Sequence, residues 1–176
     1  CSAETRFLRL RDNHTPILIQ TKNKIQQPMT LQETKFIKLS EHFTLYELVC
    51  SVTAEHHRIN NLPDATQQKN LTSLVSRILE PARVTLGLPI AISSGFRSAE
   101  LNYLVHGSKR SQHLSGSAAD LHLLDEAYGR RLFDILKANT NVDQLLMEHN
   151  SQGTCWIHVS YSKRPRHLIN DNYIQK

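Results

Sequence analysis

Two histidines and an aspartate carry the strongest chemical suggestion in this chain. His113 and Asp120 are separated by six residues in the run Ser111-Gln112-His113-Leu114-Ser115-Gly116-Ser117-Ala118-Ala119-Asp120. His158 lies further on, in Trp156-Ile157-His158-Val159-Ser160. Two imidazoles and one carboxylate, if a fold assembles them, form a ligand set for catalytic zinc, which takes three protein ligands and leaves its fourth position to water. The spacing alone is a weak signal, because ten histidines are present and a lone strand histidine reads equally well as a satisfied core residue. The surroundings add to it. Gly116 permits a sharp turn between the first two residues, and Ala118 and Ala119 are small enough for close packing. His158 and Trp156 project to one face of a strand.

The elements that must position these residues follow from periodicity. Thr44-Leu45-Tyr46-Glu47 has capping-box spacing and opens a short helix. Residues 53–62 are polar and read as loop. From Asp64 to Leu86, apolar residues recur at three and four, which predicts the principal helix, with Pro81 as a kink and Gly87 as its end. Pro89 to Ser94 reads as a strand, Ser98 to Val105 as a short helix, and Gly107 to Gly116 as a loop. Ala118 to Leu124 reads as a strand and the stretch from Asp125 or Glu126 to Ala138 as an amphipathic helix. Gln144 to Glu148 and Cys155 to Tyr161 form a hairpin around Asn150-Ser151-Gln152-Gly153, and Arg166 to Ile169 adds an edge strand. The class is α+β, a small and mostly antiparallel sheet flanked by helices. Residues 1–37 read as an N-terminal extension of unknown role, with one strand-like run at Pro16-Ile17-Leu18-Ile19-Gln20, and residues 38–176 as one domain.

Composition narrows the function classes. At 176 residues the chain is long enough for one real core. The formal charge of +5 suits an anionic partner such as acidic cell wall or a membrane surface. The positive residues are scattered, apart from Lys163-Arg164-Pro165-Arg166-His167, and no nucleic-acid motif accompanies them, so nucleic acid is not expected as a partner. Three cysteines without a CxxC pair argue against a thiolate metal site and a disulfide framework. Cys50 and Cys155 read as buried small hydrophobes. Cys1 opens the given sequence as Cys-Ser-Ala-Glu. A bacterial lipoprotein begins at such a lipid-bearing cysteine once its signal peptide is removed, so a lipid anchor is one expectation and a trimmed chain the other.

Several stretches, in order, resemble the zinc D-alanyl-D-alanine carboxypeptidase-like family of cell-wall peptidases, and best its short subgroup from bacteria and their phages. They are Leu39 through Leu48, Ser94-Gly95-Phe96-Arg97-Ser98, Gly107-Ser108, Ser111 through Asp120, Asp143-Gln144-Leu145-Leu146 with Glu148, and Trp156 through Ser160. The resemblance spans roughly residues 38–162 and implies the fold shared with the signalling domain of hedgehog proteins. It implies that His113, Asp120 and His158 hold one zinc ion. It places Arg97 in the active site, as a substrate-carboxylate or oxyanion group. Ser108, Ser111 and Trp156 are then candidate substrate-binding residues, each with a bland alternative as a loop or packing residue.

A zinc peptidase also needs a residue to accept the proton of the attacking water. Some branches of the family keep an acid three residues before the last histidine, where this chain has Cys155. Glu148 is the better candidate, because the hairpin would bring its carboxylate to the metal face. His149 points to the opposite face, and His122 shares the face of Asp120 but falls outside the family's ligand set. The expected activity is hydrolysis of peptidoglycan stem-peptide bonds involving D-amino acids, as an endopeptidase or a carboxypeptidase. The expected location is the bacterial envelope, in the periplasm or at a membrane. A phage lysin of the same chemistry and a non-catalytic wall- or protein-binding module remain the alternatives.

Overall fold

The computed structural model describes residues 29–175, so Cys1 and the run Pro16–Gln20 lie outside the described residues. Its architecture is α+β, with a five-stranded mixed sheet backed by helices.

The principal helix is built as its periodicity demands. Asp64 and Gln67 form a reciprocal capping box, each side chain accepting from the other's backbone N–H at 2.8 Å. Helix α3 then runs Ala65–Leu74, and α4 runs Glu80–Leu86 to an end at Gly87, whose φ of 71° is the left-handed cap. Leu71, Leu74, Val75, Ile78, Leu79, Ala82 and Leu86 are all buried. Between the two helices, Val75–Leu79 forms a π turn rather than the expected kink. Pro81 has no N–H to give and its ring crowds the carbonyl of Arg77, four residues back, so the helix widens there. The Arg77 carbonyl is taken instead by Asn139 Nδ2 at 2.8 Å.

Ahead of this rod lie α1 (Leu45–Val49), opened by the Thr44–Glu47 capping box, and α2 (Val52–His56). Helix α2 replaces the first part of the loop expected at 53–62, while residues 57–62 do lie outside helix and strand. Ser51 caps it and only Ala54 is buried, so its polar residues hide a helix that has little apolar face to show. Residues 29–37 include a 3-10 turn, Glu33–Phe36, and pack Met29, Leu31 and Ile37 on the core.

The sheet order is β1-β2-β4-β3-β5, from β1 (Ile92–Ser94), β2 (Ala118–His122), β3 (Val142–His149), β4 (Cys155–Tyr161) and β5 (Leu168–Gln175). All pairs are antiparallel except β3 with β5. Strand β1 keeps only the end of the expected 89–94, since Pro89 has no N–H and its carbonyl accepts from Tyr128 Oη. Helix α5 (Ala99–Leu104) follows β1, and α6 (Glu126–Lys137), capped by Asp125, packs on α4. Cys50 and Cys155 are half-exposed rather than buried, because they sit at the end of α1 and the start of β4.

Alternation divides the sheet cleanly. Ala119, Leu121, Leu145, Met147, Ile157 and Val159 face the helices and are almost wholly buried. Asp120, His158, Gln144, Glu148 and Trp156 share the other face through the pairs Asp120↔His158 and Glu148↔Trp156. Among the described residues, no helix is long and apolar enough to cross a membrane.

Val75, Ile78 and Leu79 of the π turn are buried, so truncation of these side chains should be felt fully. Ile78→Ala is expected to lower the unfolding free energy by about 2–5 kcal/mol. The same truncation at exposed Val84 should stay within about 0.5 kcal/mol. Urea denaturation of both variants measures the contrast.

Candidate metal centre

The first candidate ligand is fixed from both sides. Ser111 caps the 3-10 turn Gln112–Ser115, and Gly116 closes it with a φ of 71°. A Cβ at Gly116 would stand 2.6 Å from the Gln67 carbonyl oxygen, so the close approach of α3 admits only glycine. From α3, Gln67 Nε2 donates to the Leu114 carbonyl at 3.1 Å and Asn70 Nδ2 to the Ser115 carbonyl at 2.9 Å. His113 on this turn contacts the Gly95 carbonyl through Nδ1 at 2.6 Å. A carbonyl can only accept, so Nδ1 carries the proton and Nε2 presents its lone pair.

That lone pair is the informative atom. His113 Nε2 is buried without a hydrogen-bond partner among the described residues and lies 3.3 Å from Asp120 Oδ1. Two acceptors at that distance repel, and a cation between them converts both into ligands. Asp120 Oδ1 also lies 2.9 Å from His158 Nδ1, brought there by the strand pairing of β2 with β4. The three side chains offer ligand atoms within 4.8 Å of one another, and all three residues are buried. Their donor set and the orphaned nitrogen fit a divalent metal of the kind that imidazole and carboxylate hold together. His122 shares the sheet face but is exposed and stands outside this cluster.

Charge states agree with ligation. Burial opposes ionisation of Asp120, but its carboxyl is held well below the usual carboxylate range, consistent with the His158 Nδ1 contact at Oδ1 and the Arg97 guanidinium at Oδ2. Burial pushes the His113 pKa down despite the pull of Asp120, which favours the neutral imidazole a metal requires.

Arg97 is already engaged. Its Nη2 donates to Asp120 Oδ2 at 2.6 Å and its Nε to Ser94 Oγ at 2.8 Å. It thus occupies the outer carboxylate oxygen and leaves Oδ1 to the histidines, as outer partners of metal ligands do. Glu148 is 2% exposed and accepts from Trp156 Nε1 at 2.8 Å through Oε2. It stands on the diagonal from His158, a cross-strand spacing of roughly 7 Å that a long side chain can span. Cys155 pairs with His149 and alternates to the face opposite His158.

Asp120 and His158 border a cleft of about 660 Å³, whereas His113 and Glu148 are not among its lining residues. Arg97, Ser108, Ser111, Asp120, Trp156 and His158 line it, so the expected substrate-binding residues do meet there. A roomier groove of about 830 Å³ between α4 and α6 contains none of them. The cleft wall also holds His106, Arg110, Gln112, Gln144 and Arg166, to which the sequence reading assigned no role. Behind it, Asp143 is 1% exposed and binds Arg166 at Nε and Nη2, while Gln112 Nε2 donates to Asp143 Oδ2 at 3.1 Å. Asp143-Gln144 was visible as part of the family-like pattern and Arg166 as part of a basic run, but nothing local tied them together.

A protein-family model described as Peptidase M15 matches residues 41–160. That span includes the whole histidine–aspartate cluster, Arg97, Glu148 and Trp156, and stops short of Arg166. No curated protein matches the chain.

Two outcomes follow. A Cβ at Gly95 would meet the Leu48 carbonyl oxygen at 2.2 Å. Gly95→Ala should therefore displace the carbonyl that sets the His113 tautomer and weaken metal affinity about 10- to 100-fold by titration with a competing chelator. Second, the Arg166 hydrogen bonds hold the Asp143 carboxyl below its ordinary range, against the opposing effect of burial. A depressed folded pKa adds stability above the unfolded value of about 3.9, and that stability is lost as pH falls through the folded value. Denaturation of wild type and Asp143→Asn should show a gap near neutral pH that narrows as pH falls below the unfolded value of about 3.9.

Proposed function

The chain belongs to the peptidase M15 family and is a metallopeptidase, and on that premise we propose that it is a zinc enzyme hydrolysing peptidoglycan stem-peptide bonds that involve D-amino acids. The observation that carries the reading is the orphaned His113 Nε2 facing Asp120 Oδ1 beside His158, at the edge of a cleft large enough for a peptide. In this reading His113, Asp120 and His158 hold the zinc. When bound, zinc supplies Lewis acidity towards the scissile carbonyl and towards the water that attacks it.

The chain's own residues do the rest. Arg97 fixes the Asp120 carboxylate through Oδ2, which keeps the ligand anionic and oriented. Glu148 accepts the proton released as water adds to the carbonyl and returns it to the leaving amine, so C–N cleavage yields a free carboxylate and a free amine. The Trp156 indole, bonded to Glu148 Oε2, sets the direction of that carboxylate and walls the cleft. Ser108 and Ser111 border the same space, and in this reading they contact the substrate backbone. The net charge of +5 favours residence on anionic wall polymer. A bacterial envelope location, with a lipid anchor at Cys1 or as a phage lysin acting on the same wall, accords with that substrate.

A non-catalytic wall-binding module is the second reading, and what favours it is that Glu148 is buried, bonded to the Trp156 indole and not among the residues lining the cleft. Digestion of purified peptidoglycan with mass analysis of the fragments, with and without chelator, separates the two. Chelator-sensitive release of new termini is expected, and the fragment masses name the bond. Glu148→Gln should keep zinc and lose about 100- to 10,000-fold in cleavage rate. Unchanged cleavage in that variant would remove Glu148 from its role, and intact wall after wild-type treatment would leave the binding module.

A further inference from the structure

The residues after the family-matched span contribute a side chain to the cleft. Strand β4 ends at Tyr161, and β5 starts at Leu168 on the far side of β3, so residues 162–167 must cross the end of β3. The β3–β4 ladder slips between Val142 and Gln144 at that end, and Asp143 sits at the irregularity. Its carboxylate receives four hydrogen bonds from Arg166: from the backbone N–H at 2.8 Å, from Nε at 3.0 and 3.2 Å, and from Nη2 at 2.5 Å. Gln112 Nε2 completes the carboxylate's partners.

This arrangement orders a guanidinium without using it up. The Nε–Nη2 edge faces Asp143, while Nη1 makes no hydrogen bond among the described residues. The Arg166 side chain is 53% exposed and lines the same cleft as His158 and Asp120. Arg166 therefore keeps an Nη1–Nη2 edge, the two-pronged face that matches a carboxylate. Rotamer entropy that a free surface arginine would lose on binding is already lost to Asp143. Asp143 is committed to Arg166 itself, and Asp120, which lines the same cleft, is committed to Arg97 and the histidines. An incoming anion thus meets little competition.

We infer that Arg166, clamped by Asp143, is a specificity-determining residue that binds a free carboxylate of the substrate next to the scissile bond. The inference rests on the proposed peptidase reading and deepens it by naming a substrate class. That carboxylate has two possible sources, the C-terminus of the peptide or the carboxylate of a glutamyl residue within it, and the test tells them apart.

The test uses the full zinc-loaded chain and three synthetic stem pentapeptides ending in D-Ala-D-Ala. One carries all its carboxylates free, one is a C-terminal amide, and one has its glutamyl carboxylate amidated. Both kcat/KM and calorimetric Kd are measured. The wild type should favour the free acid over one of the amides by about 10- to 100-fold, expressed mainly in KM and Kd, and the disfavoured amide identifies the source. Arg166→Gln should bring that ratio close to one. Arg166→Lys keeps a cation over Asp143 and so guards against misfolding, and it should cut the ratio severalfold because the fork is gone.

Equal treatment of all three peptides by the wild type overturns the inference, as does a ratio that survives in folded Arg166 variants. Cleavage of none of the peptides counts against the peptidase reading, and the same acid-to-amide ratio in Kd then decides Arg166 independently.

Discussion

The Asp120 carboxylate is the point on which the rest of the molecule depends. One oxygen faces two imidazoles and the other takes a guanidinium, and all four groups are largely withdrawn from water. A lone buried carboxylate would be too costly to keep ionised, so its partners must be in place before the charge is tolerable. Each partner comes from a different part of the fold. His158 arrives by strand pairing, Arg97 from the turn after β1, and His113 from a 3-10 turn braced by α3. The sheet register, the β1 turn and the packing of α3 are therefore one requirement expressed in three places.

Two glycines show how tight that requirement is. Gly116 lets the His113 turn lie against the Gln67 carbonyl, and Gly95 lets its own backbone lie against Leu48 while offering its carbonyl to His113. The first close approach positions the turn that carries His113, and the second brings a backbone carbonyl directly to its imidazole. The outcome is a nitrogen lone pair aimed at a carboxylate oxygen, an arrangement that gains stability from a cation and loses it without one.

Much of this was legible in residue patterns, and the parts that were not have physical reasons. The capping boxes at Thr44 and Asp64 and the three–four periodicity up to Leu86 are local, so they read directly. The shared face of Glu148 and His158 follows from strand alternation once the hairpin is accepted. Helix α2 shows no apolar period because it buries a single alanine, and β1 is shorter than its strand-like run because Pro89 has no N–H for a ladder. The Arg97–Asp120 pair joins residues 23 apart, and Arg166–Asp143 depends on a parallel crossover that no local spacing announces. Long-range ion pairs have no period, whereas helices and strands do. The order of several motifs carried more about His113, Asp120 and His158 than their spacing could.

The π turn at Val75–Leu79 has a geometric consequence beyond relieving Pro81. An α-helix advances about 100° per residue, so a turn holding one extra residue shifts the helix's angular phase by roughly that amount. Upstream of the shift, the rod presents α3 to the turn that carries His113, and downstream it presents α4 to α6. One continuous helix thereby aligns two differently oriented neighbours, and the single surplus residue acts as a vernier between the metal-side turn and the helical layer behind the sheet.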